Sequence, residues 1–310
     1  MPSRTITERL RVGEVLLMDG ATGSELQRRG VNVSKGAAPE SMGAWSGTAN
    51  IDAPAIVRQV HEDYLTLGVD LITSNNFWTS RARLALAGLA DQWETYTRAG
   101  AELAIQARNA VNPEAFVAGG VAPPGSGDLR AEFIDQARIM AEVGVDLLLA
   151  EWVGTIADCV VAVEALAAAG LPVFLGVRNI TLEGTMQYGE CLEDLVTALE
   201  GRPVDAILLM CSRPEAISAG LPRLRQAFAG PIGAYANIGY GPNPKFGTVT
   251  GEQWFAIDQE TYPPELYASF AREWLAMGAQ IVGGCCATGP SHISAIQPIV
   301  KGTLRKAGHG

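Results

Sequence analysis

The sequence predicts an α/β protein folded as a (β/α)8 barrel, a single domain over residues 1–310. Three observations carry this. The chain has 310 residues, long for one ordinary domain but typical of such a barrel. Hydrophobic residues make up 48% of it, which suits a parallel sheet buried on both faces. Short apolar runs alternate with helical patterns, eight of each, and no internal repeat, linker or low-complexity tract interrupts them.

Taken in order, each expected strand is an apolar run that ends at a glycine, polar or reactive residue. Val15–Asp19 comes first, and the helical pattern Ala53–Leu67 follows after a long connection. Gly68 stops that helix, as glycine past a helix end does, and Val69–Asn75 is the second strand. The pattern Ser80–Val111 reads as one long helix before the strand Phe116–Val121. The helix Arg130–Val143 ends at Gly144 and leads into Asp146–Glu151. Ile156–Ala169 then precedes Pro172–Arg178, and Cys191–Leu199 precedes Ala206–Cys211. Pro214–Phe228 precedes Pro231–Asn237, and Pro263–Met277, stopped by Gly278, precedes Gln280–Cys285. Pro290–Val300 is the last helix. Two connections, residues 20–52 and 238–262, are long for strand-to-helix loops. Long loops at the carboxyl ends of barrel strands are where active-site covers sit. Their aromatic residues Trp45, Phe246, Trp254 and Phe255 argue for ordered covers.

Composition narrows the function. A net charge of −10 argues against nucleic acid or an anionic membrane as partner and leaves small molecules. The start, Met1-Pro2-Ser3-Arg4-Thr5, has no apolar leader, and no stretch has the length of a transmembrane helix. Five cysteines, an odd number in a large chain, do not make a disulfide framework. A reducing cytoplasm is the expected location.

The reactive residues fall where a barrel uses them. Asp19, Asn75, Glu151, Cys211, Asn237, Cys285 and Cys286 all close expected strands, and those ends converge on one face. Cys285 and Cys286 stand side by side between Gly283-Gly284 and Ala287-Thr288-Gly289, and Cys211 supplies a third thiol from the sixth strand. Three thiolates make a soft site that favours zinc and leaves one position open for a substrate sulfur. Cys159 and Cys191 lie in or near helices and read as structural, as do His61 and His292.

Four segments resemble the homocysteine S-methyltransferases. They are Asp19–Leu26, Ser74-Asn75-Asn76-Phe77, Cys211 at its strand end, and the Gly283–Ile293 block with its Gly-Gly-Cys-Cys and Pro-x-His-Ile. The resemblance implies zinc-dependent methyl transfer to homocysteine, giving methionine, with Cys211, Cys285 and Cys286 as ligands. It implies that Asp19 and Glu151 hold the homocysteine ammonium group. Gly20, Ala21 and Ser74 belong to the same subsite, where backbone N–H groups of the glycine-rich turn would take the carboxylate. Trp45, Trp78 and Trp152 match positions at which betaine–homocysteine methyltransferases carry aromatic residues around the donor. Aromatic faces attract a methylated onium group by about 0.5–2 kcal/mol per ring. The donor expected is therefore glycine betaine or a sulfonium such as dimethylsulfoniopropionate. S-methylmethionine or S-adenosylmethionine is the alternative donor, and a non-catalytic zinc-binding or ligand-sensing barrel the alternative of another class. Two departures stand out. Met210 replaces the asparagine that many relatives have before the first cysteine. Tryptophan replaces tyrosine at positions 78 and 152, so Asn237 or a water is expected to fill the fourth zinc position when homocysteine is absent. An oligomer is possible.

Overall fold

The computed structural model describes residues 2–38, 41–239 and 260–307. The eight strands are β1 (Leu16–Leu17), β2 (Leu71–Thr73), β3 (Phe116–Val121), β4 (Leu147–Val153), β5 (Val173–Val177), β6 (Ala206–Met210), β7 (Ile232–Ala236) and β8 (Ala279–Gly284). They pair in parallel in the order β1-β8-β7-β6-β5-β4-β3-β2. A bridge between Met18 and Leu71 joins the two ends, with Asp19 N–H donating to Leu71 O at 3.0 Å and Asp70 N–H to Leu17 O at 2.7 Å. The expected (β/α)8 barrel is therefore the observed one.

Side chains alternate between two cores, as a strand's period of two requires. Leu16, Phe116, Leu149, Phe174, Leu208 and Ile281 fill the barrel interior, while Leu17, Val117, Leu148, Leu175, Leu209 and Val282 pack outward against the helices. An N-terminal helix, α1 (Ile6–Arg11), was not expected from the sequence. It opens on a capping box between Thr5 and Glu8, and Ile6 and Leu10 join the interior core. At six residues it is too short to show a helical period. It closes the end of the barrel where the strands begin, since Gln280 Nε2 donates to Leu10 O at 2.9 Å.

The outer helices follow the expected alternation with some corrections. They are α4 (Pro54–Thr66), α5 (Arg81–Ala85), α6 (Trp93–Val111), α7 (Leu129–Val143), α8 (Ile156–Ala167), α9 (Leu192–Ala198), α10 (Pro214–Ala227), α11 (Pro264–Ala276) and α12 (Pro290–Ala307). The single helix expected over 80–111 is two, because Gly88 turns into the left-handed region at φ +74° and ends the first segment. The last helix continues beyond Val300 to Ala307. The fourth strand does not stop at Glu151. It runs on to Val153 with a register shift after Ala150, where Trp152 takes φ +62°.

The long connection over residues 20–52 is structured. It holds α2 (Thr22–Arg28), a 3-10 turn at Trp45–Thr48 and α3 (Ala49–Asp52). Asn75 fastens it to the end of β2. Its Nδ2 donates to Ser46 O at 2.9 Å and Asn50 Oδ1 at 2.8 Å, and its Oδ1 accepts from Ser46 Oγ at 2.8 Å. Asn75, grouped by sequence with the reactive strand-end residues, is thus committed to holding this cover. Most of the connection over 238–262, with Phe246, Trp254 and Phe255, lies outside the described residues.

Candidate functional site

Three adjacent strand ends build the thiol cluster. Cys211 follows β6, Asn237 follows β7 and Cys285 follows β8. Their backbones are cross-tied: Cys211 N–H donates to Tyr235 O at 3.0 Å, and Cys285 N–H to Ala236 O at 2.9 Å. Cys211 takes φ +47°, a left-handed conformation rare for a residue with a β-carbon, so the chain peels off β6 within one residue. Cys285 and Cys286 lie in a tight turn whose Ala287 also has positive φ, at +65°, and which closes with Thr288 N–H on Cys285 O at 3.1 Å. From α2, Ser24 Oγ accepts from Ala287 N–H at 3.0 Å and fixes that turn.

The sulfurs end up close. Cys211 Sγ lies 3.5 Å from Cys286 Sγ, Cys286 Sγ lies 3.9 Å from Cys285 Sγ, and all three lie within 4.8 Å of one another. A tetrahedral zinc with bonds of about 2.3 Å spaces its sulfurs about 3.8 Å apart. The three thiols thus fit a metal held from one side. Hydrogen bonds from Cys285 and Cys286, helped by the positive charge of Arg178, push the Cys211 thiol well below its ordinary pKa, so it ionises first. Asn237 points its Nδ2 at Cys211 Sγ at 3.8 Å, while its Oδ1 accepts from Gly239 N–H at 3.1 Å. In this arrangement its amide donates toward the sulfur rather than offering an oxygen to a metal.

The thiols line a cavity of about 480 Å³ that also takes in Asp19, Gly20, Ala21, Ser74, Trp45, Trp78, Glu151, Trp152 and Asn237. Every predicted site residue therefore faces one chamber, of a size usual for small-molecule sites. Asp19 and Glu151 are buried, and neither has an ion-pair partner among the described residues. Burial pushes both carboxyls up to about 8, and Glu151 is raised further by Asp19 and Cys211. Asp19 accepts from Thr73 N–H at 2.9 Å. A β-carbon on Gly120 would stand 2.5 Å from Glu151 Oε2, so glycine is what makes room for that carboxyl. The hydroxyls of Thr73 and Ser74 are buried without a hydrogen-bond partner among the described residues. The glycine-rich turn is partly committed, since Ala21 N–H donates to Thr288 O at 3.2 Å. The first turn of α2 carries no side-chain cap, which leaves the amides after Ala21 for a ligand.

The aromatic wall is formed by Trp78 and Trp152, edge to face with centroids 5.6 Å apart, and by Phe77, 4.9 Å from Trp78 and 5.8 Å from Trp152. Trp45 packs against the α-carbon of Gly23, where a β-carbon would overlap its indole. Sequence reasoning missed several lining residues: Phe77 as a wall element, Thr73, Met210, Tyr235, Arg178, Asn179 and Gln187. Arg178 was in reach of the strand-end rule, because it closes the fifth expected strand. Met210 does more than fill space. Its Sδ accepts from Trp152 N–H at 2.9 Å and from Tyr235 Oη–H at 3.0 Å.

The remaining candidates are structural. His292 accepts from Gly289 N–H through Nδ1 at 3.3 Å and pairs its Nε2 with Tyr262 O at 2.9 Å. His61 is buried outside the cavity, and burial lowers its pKa to about 4, keeping it neutral. Cys159 is buried, with its thiol pushed up by burial, and Cys191 occupies the position just before α9 without a side-chain capping bond.

Comparison with known proteins agrees with the geometry. The family model described as homocysteine S-methyltransferase matches residues 16–300. A homocysteine S-methyltransferase of Escherichia coli is 28% identical over 92% of this chain and 94% of its own length. A betaine–homocysteine S-methyltransferase of Bos taurus is 29% identical over 94% of this chain and 73% of its own. The crystal structure of an Escherichia coli homocysteine methyltransferase, in its metallated form, superposes with a TM-score of 0.76 at 25% identity, covering 94% of this chain and 98% of that one. With three converging thiols and two buried carboxyls at the mouth of a (β/α)8 barrel, this chain belongs to the homocysteine S-methyltransferase family of enzymes.

Proposed function

We propose that the protein moves a methyl group from an onium donor, glycine betaine or a sulfonium such as dimethylsulfoniopropionate, to the sulfur of homocysteine, with zinc held by Cys211, Cys285 and Cys286. The observation that carries this is the shared chamber, in which the three sulfurs lie beside two buried carboxyls that have no counter-ion among the described residues. Zinc, when bound, would keep a ligating substrate thiol deprotonated near neutral pH.

The chain's own residues do the positioning. Asp19 and Glu151 face a substrate ammonium, whose charge makes their ionised forms favourable again. Thr73 Oγ1 and Ser74 Oγ, with the amides of the α2 first turn beyond Gly20 and Ala21, suit the substrate carboxylate. Trp45, Trp78, Trp152 and Phe77 enclose the onium head, which offers no strong hydrogen-bond donor and is held by aromatic surface. In the transfer, a sulfur–carbon bond forms at the methyl as its bond to nitrogen or sulfur breaks, and the leaving group takes that electron pair and departs neutral. No general acid is needed, and the described lining residues include no histidine. Alignment of the two substrates supplies the remaining rate enhancement. Free thiols of this kind belong in a reducing compartment such as the cytoplasm.

The test is a donor panel on zinc-loaded protein. Methionine formed from homocysteine with glycine betaine or dimethylsulfoniopropionate supports the proposal. Turnover with S-methylmethionine alone selects the other donor class.

A further inference from the structure

The cavity holds ionisable groups of both kinds. Its acids, Asp19 and Glu151, lie at the ends of β1 and β4. Arg178, immediately after β5, also lines it. Arg178 lays its guanidinium 3.7 Å over the ring of Trp152, and Arg83, from α5, lays its own 3.7 Å over Trp78. Since Trp78 and Trp152 meet edge to face, the two arginines bracket the aromatic wall.

Neither guanidinium has a carboxylate partner among the described residues. These two are half-buried, make no ion pair or guanidinium hydrogen bond among the described residues, and keep their Nε atoms buried and unpartnered. Cys211, and more weakly Tyr188 and Asp158, act on Arg178 through charge alone, without a hydrogen bond. Burial lowers the pKa of both arginines, and the charge of Arg178 helps to push Arg83 down to about 10. The backbone has made room for both. A β-carbon at Gly154 would stand 3.0 Å from Arg178 Nε, and one at Gly125, where φ is +81°, would stand 2.6 Å from Arg83 Nη2. Burying two like charges side by side is unfavourable unless an anion joins them. A planar guanidinium fork, fixed by stacking, is preorganised for a carboxylate.

We propose that Arg178, with Arg83 behind it, is the carboxylate-recognising element of the donor subsite, and that the donor is an onium carboxylate with no second cationic group. The assignment rests on the methyl-transfer reading of the cavity. The onium head sits among the aromatic rings toward the thiols, and the tail carboxylate neutralises Arg178. A donor whose tail bears an ammonium group as well, as S-methylmethionine does, brings a cation to the arginines and is disfavoured. Arg178 makes the direct contact. Arg83 is a positioning residue that acts through Trp78 and through its charge.

Calorimetry on zinc-loaded protein separates this from the methyl-transfer reading. The probes are glycine betaine, dimethylsulfoniopropionate, S-methylmethionine and the carboxylate-free onium choline, measured on the parent, Arg178→Met and Arg178→Lys. Loss of a charge-assisted hydrogen bond corresponds to roughly 10–150-fold in affinity. Arg178→Met is expected to weaken glycine betaine by that factor. It should leave choline and homocysteine affinities and zinc content unchanged, while Arg178→Lys restores part of the loss. In turnover the change should fall on the donor's KM more than on kcat. Equal weakening of choline and betaine, unchanged betaine binding, or tighter binding of S-methylmethionine than of betaine in the parent would each overturn the proposal. Absence of methionine with every donor would instead overturn the methyl-transfer reading, because carboxylate-dependent binding is read without turnover.

Discussion

Cys211 Sγ lies 3.5 Å from Cys286 Sγ although 75 residues separate the two in the chain. The barrel makes this contact by bringing β6 and β8 to either side of β7, and a left-handed Cys211 completes it. Each thiol then depends on the others. Cys211→Ser should reduce zinc from about one ion per chain to background, since a tetrahedral thiolate site loses its metal with a ligand. Metal analysis after gel filtration, with circular dichroism to confirm the fold, checks this.

The buried acids predict an unusual pH profile for the metal-free protein. Asp19 and Glu151 have ordinary values of 3.8 and 4.5 and folded values of about 8. Between those limits the folded state holds protons that the unfolded state has released. Their contribution to stability is therefore fully present below about pH 4 and is lost as pH rises through about 8. The parent should lose stability between pH 6 and pH 9, and Asp19→Asn/Glu151→Gln should lose less while binding homocysteine poorly. Urea midpoints at the two pH values give the comparison.

Met210 is a hydrogen-bond acceptor in an apolar site. Met210→Leu keeps the volume but strands Trp152 N–H and Tyr235 Oη–H, which both point at the sulfur. A buried donor left unsatisfied costs about 1–3 kcal/mol, and urea denaturation should show a loss of that size. An unchanged midpoint would mean the sulfur is only filler.

Gly120→Ala tests the placement of Glu151. The new methyl group would stand 2.5 Å from Glu151 Oε2 and 2.8 Å from Thr73 Cγ2. Overpacking of this kind costs about 1–3 kcal/mol. Steady-state kinetics should show a higher KM for homocysteine and a smaller change in the donor's KM.

The barrel and the thiol site were legible because both follow from strand ends. Apolar runs such as Ile207–Met210 announce a strand, and whatever follows sits at its mouth. Three things were not legible. Helix α1 is too short to show a period. The left-handed turns at Trp152 and Cys211 arise from tertiary packing, with no glycine to announce them. Asn75 carries the same chemistry whether it binds a ligand or fastens a loop, and only its bonds to Ser46 and Asn50 decide. Arg83 was illegible for another reason: it comes from a short helix, and only its stacking on Trp78 ties it to the aromatic wall.

The most direct test of the account is methionine formation from homocysteine and glycine betaine by zinc-loaded parent protein, set against Cys285→Ala. The account predicts turnover in the parent, and loss of zinc and turnover together in the variant. Full activity in a zinc-free Cys285→Ala protein would contradict it.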